Sequence, residues 1–550
     1  MTDKTNVLIL AAELGYFRAK SAEKKNAISE ELFTEFNKIE SVNMSDILDI
    51  LNEETAKRAE TYRKREAAKV LKAQAEAQKP ISAGAESGVE HIIKAQPSRV
   101  YVITTAQNNT DVSKTFLDIL NNYCKVNSAL LMVGKTTYNK GAFAQPEVND
   151  DSLWYDPAIT EYLVSGHIEI TPNLHFFADA NVIPTAKNPL SGFAGLTGAG
   201  VDIIIPATKL SLQCVASLKG SRGKVMHSTG AVTLRNYILR KAGAVAQTEH
   251  NISALVVEIN NEGSHNIRQL ELVKGANHIY DEGIAYYADG YSKEAHAAAL
   301  QFGDIHAEKM TLENQQKLGT LISKYRPSNV LIHDVLDFSS RNHHNIKDPV
   351  FIFKMHEKGE TVRCDIQTVT RVLDYITKTI LSYNSASLVH IIESNHDLAI
   401  NTWLKNADFK TDPVNATVYL QCMLALYKHI EDNPDEEFNM LEFAYNEIGC
   451  GYCGDYIQFH KTDESVIIAG VEMGCHGHSG VNGARGSPQG FRTLGVPMNT
   501  GHTHTPSICG AVYTAGVSAS LEMGYNVGPS SWHLAHVLTW PNGQRQIIFA

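Results

Sequence analysis

AALQFGDIH, residues 298–306, opens the half of the chain whose reading decides the fold. A short apolar run ends abruptly in Gly303-Asp304-Ile305-His306, the pattern of a buried strand that delivers polar side chains at its exit. The same arrangement recurs downstream. NVLI precedes His333-Asp334, LVHII leads to Asn395-His396-Asp397, VIIAGV comes before His476, and GVPM is followed by Gly501-His502-Thr503-His504. Five strand exits that each present Asp, Asn or His point to one metal site assembled from distant parts of the chain.

The residue types explain why. A carboxylate that bridges two divalent ions, flanked by imidazoles and an amide oxygen, holds the pair about 3.5–4 Å apart and leaves faces open for water and a phosphate. Asp334 is the natural bridge. Asp304 with His306 can reach one ion from a single loop, and His502 with His504 can repeat this from the opposite side. With 23 His in 550 residues, an isolated His-x-His arises by accident; a series of such blocks, each at a strand exit, does not.

In this order the blocks GDIH, HDVLD, SNHD, CHGH and GHTH resemble the signature of the calcineurin-like metallophosphoesterases: D-x-H, G-D-x-x-D, G-N-H-[DE], a lone His and G-H-x-H. The resemblance covers roughly the last 250 residues. His333 and Ser394 stand where the family usually has Gly, and Phe338 takes the place of an Arg, with Arg341 three residues further on. The resemblance implies Asp304, His306 and His504 on one metal, Asn395, His476 and His502 on the other, and Asp334 between them. It implies His396 as the acid that protonates the leaving oxygen and Asp397 as the group that orients it. His476 is preferred to His478 because Cys-His-Gly resembles the lone-His block of the phosphoprotein phosphatase branch. Two divalent ions follow as cofactors, Mn favoured by the resemblance, with Mg, Fe, Zn or Co also suited to mixed N/O ligands.

Around this centre the chain divides into four segments. Residues 1–78 carry apolar residues at helical spacing and then become charged nearly all round, which predicts a helical arm, either for oligomerisation or as a solvated connecting helix. Ser29 and Ser45 are predicted helix starts. Residues 79–97 form a linker whose KPISAGAESG is rich in turn formers. Residues 98–295 predict an α/β accessory domain: RVYVITTA, SKTFLDILNNYCKV and ALLMVG read as strand, helix, strand, with VDIIIPA and ALVVEIN as further buried strands. Residues 296–550 are the catalytic domain, predicted as a β-sandwich flanked by helices over LENQQKLGTLISKY and DIQTVTRVLDYITKTIL and closed by strands around a Pro-Asn-Gly turn. The fold class is therefore α/β.

The composition is that of an ordinary soluble chain, 43% hydrophobic and 20% charged, with no apolar run near the roughly 20 residues that span a bilayer. No signal peptide, no membrane partner and a cytoplasmic location are expected. The eight Cys form no disulfide framework; Cys450-Gly-Tyr-Cys453 reads as a zinc or redox pair or, more simply, as a turn with two thiols. Gly198-Ala199-Gly200 lacks the Lys-Ser/Thr of a phosphate loop.

A net charge of −11 excludes a global attraction to nucleic acid, so local charge decides. Between Asp202 and Glu249 there is no acidic residue, while Lys209, Lys219, Arg222, Lys224, Arg235, Arg240 and Lys241 all fall inside. On one face they would make a track for a polyanion; apart, they are separate surface charges. Arg341, with His343, His344 and Lys347, belongs to a loop-rich stretch beside Asp334 that would shape substrate entry.

As a whole, helical arm and accessory domain included, the chain also resembles the pre-early nucleases of T5-like bacteriophages, which degrade host DNA. The two resemblances together imply a metal-dependent DNase with DNA as partner, a homo-oligomer acting in the host cytoplasm. A phosphoprotein or nucleotide phosphatase and a non-catalytic binding scaffold are the alternatives.

Overall fold

The computed structural model describes residues 11, 22–36, 45, 47–57, 60, 92–94, 98–138, 153–342, 348–524 and 526–550. The KPISAGAESG joint and the loop residues His343, His344 and Lys347 lie outside them. The chain forms two compact units, 1–89 and 90–550.

In the first unit, the helix Ala22–Phe36 and the helical stretch 47–57 bury Ile28, Leu32, Ile47 and Leu51. Ser29 is inside the first helix, not at its start, with its hydroxyl turned back onto the Lys25 carbonyl at 2.9 Å.

The second unit is mixed α/β. Its centre is a six-stranded sheet in the order Ile457–His460, Leu388–Ile392, Asn329–His333, Ala299–Gln301, Ala535–Thr539, Arg545–Phe549. The first four strands run parallel and the last two antiparallel. Alternation along each strand gives the sheet two apolar faces. On one, Leu300, Val330, Ile332, Val389 and Ile391 pack against Leu318 and Ile322 of the helix Leu312–Tyr325 and Val369, Leu373 and Ile376 of the helix Val362–Leu381. On the other, Leu331 and Ile392 meet Val471 and Met473, and Val537 and Ile547 meet Leu212 and Ile508. These partners belong to or adjoin a second, eleven-stranded sheet, so the core is two sheets face to face with helices outside.

That second sheet draws strands from both sides of residue 296. Asp202–Ile205, Lys224–Thr229 and Leu210–Val215 continue directly into Ser507–Cys509, Val512–Thr514 and Met498–Thr500. The junction is antiparallel, with Gln213 opposite Ser507 and Leu212 opposite Ile508. A four-stranded sheet, His265–Glu271, Ser253–Ile259, Val100–Gln107 and Leu130–Thr136, carries the helix Lys114–Asn127. VIIAGV forms two short antiparallel strands, Ile467–Ile468 and Val471–Glu472, because Ala469 and Gly470 take positive φ and turn the chain.

Candidate metal centre

The parallel strands of the six-stranded sheet end side by side, and their exits carry the polar side chains. Backbone pairing continues past the strand ends: Ile305 N donates to His333 O at 3.1 Å, His306 N to Asp334 O at 2.8 Å and Ala307 N to Val335 O at 3.0 Å. The Asp304 loop and the Asp334 loop are thus fastened together. The lone-His block joins the GHTH block in the same way, through Gly501 N to His476 O at 2.7 Å.

The glycines in these blocks have a steric reason. A Cβ on Gly303 would lie 2.7 Å from the Gly516 and Val517 backbone, and one on Gly501 would overlap Asp304 Oδ1. Four of the polar residues themselves have left-handed backbone: His306 (φ 40°), Asp334 (φ 46°), His502 (φ 70°) and His504 (φ 56°). Each such residue costs about 1–2 kcal/mol. Their concentration at one place marks a site where the surrounding bonds impose the conformation. His333 closes its strand in extended conformation, so no Gly is needed there; Asp334 makes the left-handed turn instead. Ser394, at the other departure from the family pattern, accepts from Asp397 N at 3.1 Å and donates to Asp397 Oδ2 at 2.8 Å, holding the turn.

Three groups of potential ligands result, one of them His306, Asp337 and His396. Asp304, His306, Asp334 and His504 bring one ligand atom each within 4.8 Å of one another, and so do Asp334, His476 and His502; Asp334 belongs to both. His306 Nε2 and His504 Nε2 converge at 3.0 Å, His504 Nε2 lies 3.1 Å from Asp304 Oδ2, and His476 Nε2 lies 3.3 Å from Asp334 Oδ2. Asp304, His306, Asp334, His476 and His504 are buried. Asn395 is exposed on the turn that follows Leu388–Ile392, beside Ser394. His478 is half-buried, its ring 5.5 Å from that of His476 and 6.3 Å from that of His502.

The donor set fits a divalent cation. Asp304 Oδ1, both oxygens of Asp334, both ring nitrogens of His476 and His504 Nδ1 are buried without a hydrogen-bond partner in the protein, an arrangement that costs several kcal/mol unless a cation satisfies it. The electrostatics agree. Burial opposes the charge of Asp334, yet His476 above all holds it well below the usual carboxylate range. Burial alone would lower His476, but Asp334 and then Asp304 bring it up to about 9. His502 is pushed down to about 4 by burial and by His476, so it is a neutral imidazole with a free lone pair.

The two residues assigned to catalysis are placed differently. His396 is on the rim, its side chain 21% exposed, with its ring 4.7 Å from that of His306. The Asp397 carboxylate is engaged elsewhere: it accepts from Leu336 N at 3.0 Å and from Ser394 Oγ, and burial followed by Asp334 pushes it up to about 7. Facing His396 is Asp337, whose Oδ1 lies 3.7 Å from His396 Nδ1 and 3.1 Å from His306 Nδ1. Sequence reasoning gave Asp337 no role, although the second Asp of HDVLD was on the page as a signal. A carboxylate on the far nitrogen of a ligating imidazole fixes its tautomer and orientation.

The residues proposed for DNA contact fall into two sets. Lys209 and Lys224 are buried: Lys209 Nζ donates to Ala186 O and pairs with Glu249, both at 2.6 Å, and Lys224 Nζ donates to Ala194 O at 2.6 Å and Thr197 O at 3.1 Å. Arg222 pairs with Asp202 at 2.8 Å and donates to Gly200 O. These cations thus tie down the Gly-rich loop 186–200. Arg341 forms a two-pronged pair with Asp412 at 2.7 and 2.9 Å. Lys219, Arg235, Arg240 and Lys241 are exposed. All eight Cys are free thiols, and among the described residues no helix is long and apolar enough to cross a membrane.

Compared with known proteins, the chain is 40% identical over 499 residues to Protein A1 of Escherichia phage T5, an alignment covering 88% of each chain. No protein-family profile and no solved structure matches it.

Proposed function

This chain belongs to the family of Protein A1 from Escherichia phage T5, and on that premise we propose that it is a metal-dependent DNase, hydrolysing phosphodiester bonds of host DNA at a pair of divalent cations. The observation that carries the reading is the Asp334 carboxylate, common to two Asp/His groups, buried without a hydrogen-bond donor in the protein and faced by the His476 ring at 3.3 Å. Asp304, His306 and His504 would hold one cation and His476 and His502 the other, to which the family resemblance adds Asn395. The order of the five blocks and the pair of facing sheets accord with a metallophosphoesterase. Mixed imidazole and carboxylate donors suit Mn.

Bound there, the cations would supply Lewis acidity toward the phosphate oxygens and a water acidic enough to react near neutral pH. The chain's own residues do the rest. The buried cluster keeps bulk water away from the reacting phosphate, which strengthens every charge interaction within it. His396, at the exposed rim, would give a proton to the departing oxygen, and Asp337 beside it would hold the ring. Asp397 acts at one remove, fixing the 394–397 turn to Leu336 and so to the Asp334 loop. A scaffold without activity would have no use for four strained backbone positions at one cluster.

The test is incubation of linear and supercoiled plasmid with Mn, Mg or EDTA, using the unmutated protein, Asp334→Ala and His396→Ala. Loss of the intact circle only with metal and only in the unmutated protein is expected, with His396→Ala slower by about 10²–10⁴-fold. Cleavage that persists in EDTA, or in Asp334→Ala, would overturn the reading.

A further inference from the structure

Beside the metal cluster lies a groove of about 810 Å³. Its floor is the outward face of the junction between Leu210–Val215 and Ser507–Cys509, where Gln213 stands opposite Ser507 and Ser211 opposite Cys509. The alternate residues Leu212, Cys214 and Ile508 turn inward and are buried. One wall is the loop carrying Lys187; the other is the short helix Pro488–Arg492. Thr503 and Thr505, which alternate with the two histidines of GHTH, line the groove as well. Ser507 follows His504 by three residues, so at most about 10 Å of extended chain separates the floor from a metal-site imidazole.

The charge of this groove is opposite to that of the chain. Among the described residues that line it, Lys187, Lys209 and Arg492 are cationic and Glu249 alone is acidic, a surplus of 3 − 1 = 2 positive charges in a chain of net charge −11. Glu249 is itself held between Lys209 and the Arg492 guanidinium. The floor offers hydroxyl and amide groups, and the Ser507 Oγ is buried there without a partner in the protein. Among the described residues no aromatic ring lines the groove, so they offer no platform on which bases would stack. A volume in the range of small-ligand sites admits a few nucleotides of one strand and not a duplex.

We infer that this groove binds the sugar-phosphate backbone of a single nucleic-acid strand on one side of the bond to be cut, through Lys187, Gln213, Ser507 and Arg492. The inference rests on the phosphodiesterase reading and adds to it where the strand runs. It makes binding tolerant of base sequence and sensitive to salt. With about two phosphates neutralised, the logarithmic salt slope contributed by the groove is about −1.4.

Cys509, half-buried on the floor, is a native reporter, and Cys364 and Cys450 are exposed outside the groove. The full-length protein in EDTA is treated with N-ethylmaleimide, with and without a fluorescein-labelled single-stranded 12-mer, and alkylation is read by mass spectrometry. The oligonucleotide should slow modification of Cys509 at least about fivefold and leave Cys364 and Cys450 unchanged. Fluorescence anisotropy should show the double variant Lys187→Glu/Gln213→Glu binding the 12-mer at least about tenfold more weakly, and Lys125→Glu, on the exposed face of a distant helix, binding as before. Unchanged melting of the double variant establishes that it folds. Metal-dependent hydrolysis of bis(p-nitrophenyl) phosphate by the same unmutated preparation reports on the phosphodiesterase reading separately. If that hydrolysis is present while Cys509 stays unprotected and the double variant binds normally, the groove assignment is overturned and the phosphodiesterase stands. If the diester is not hydrolysed with any metal, both are overturned.

Discussion

Two of the clusters of buried charge in the second unit are bonded in opposite ways. In the Arg268–Asp281 pair every guanidinium nitrogen and carboxylate oxygen has a partner. The guanidinium meets Asp281 through Nε and Nη2 at 2.8 and 2.9 Å and Glu258 through Nη1 at 2.7 Å, and Asp281 also accepts from Tyr123 Oη at 2.8 Å and Gln546 Nε2 at 2.9 Å. Burial opposes its charge, but Arg268 holds the Asp281 carboxyl below its ordinary range. Around Asp334 the same kinds of group, equally buried, leave oxygens and ring nitrogens unbonded. The first cluster is complete in the protein alone and ties the accessory strands to Arg545–Phe549. The second is complete only with something added. Burial and charge do not tell a structural network from a binding site; the state of the remaining lone pairs does.

This contrast can be broken by mutation. Arg268→Met should cost the most, about 3–5 kcal/mol in urea unfolding, because it strands Asp281 without a cation; activity per folded molecule should hold. Asp334→Asn should do the reverse. Its metal-dependent diester cleavage should fall at least about 100-fold, since even partners of metal ligands are worth 10–100-fold, while metal-free stability moves by no more than about 1 kcal/mol. Equal losses of stability in the two variants would mean that both clusters are structural. Asp337→Asn should sit between them: metal affinity, measured by calorimetry, should fall about 10–100-fold as His306 loses its orienting carboxylate.

The distinction was only half visible in the sequence. Ligand spacing within one loop, Asp304 with His306 or His502 with His504, is local, so the pattern of strand and exit was enough to find it. The orienting role came to Asp397 from the family resemblance; its carboxylate accepts from Leu336 N, and the carboxylate across from His396 is Asp337, on a loop some sixty positions earlier. The strand at 202–205 was legible, but not those at 210–215 and 224–229 or their merger with 498–514, which depends on pairing between segments nearly 300 residues apart. For the same reason the basic tract read as one candidate surface. Lys224 begins a strand whose six residues are all buried, and its charge is taken up by carbonyls of a loop thirty positions away.

Asp365 tests the contrast at its finest, since it has hydrogen bonds but no cation. It accepts from Ser340 N at 3.0 Å and Ser340 Oγ at 2.6 Å, as many donors as some fully paired carboxylates, yet burial brings it up to about 6. Neighbouring Glu308, half-buried, is raised as well, by desolvation and by Asp365 and Asp337. A carboxyl raised above its unfolded value of about 3.9 binds its proton more tightly in the folded state. Its contribution to stability is therefore complete below pH about 4 and is lost as the pH rises through about 6. Asp365→Asn, which keeps an acceptor for Ser340 and cannot ionise, should flatten the decline in melting temperature across that interval. A parallel decline in both proteins would show that two hydrogen bonds suffice to hold a buried carboxylate charged, and the unbonded atoms around Asp334 would then lose their force as evidence for a cation.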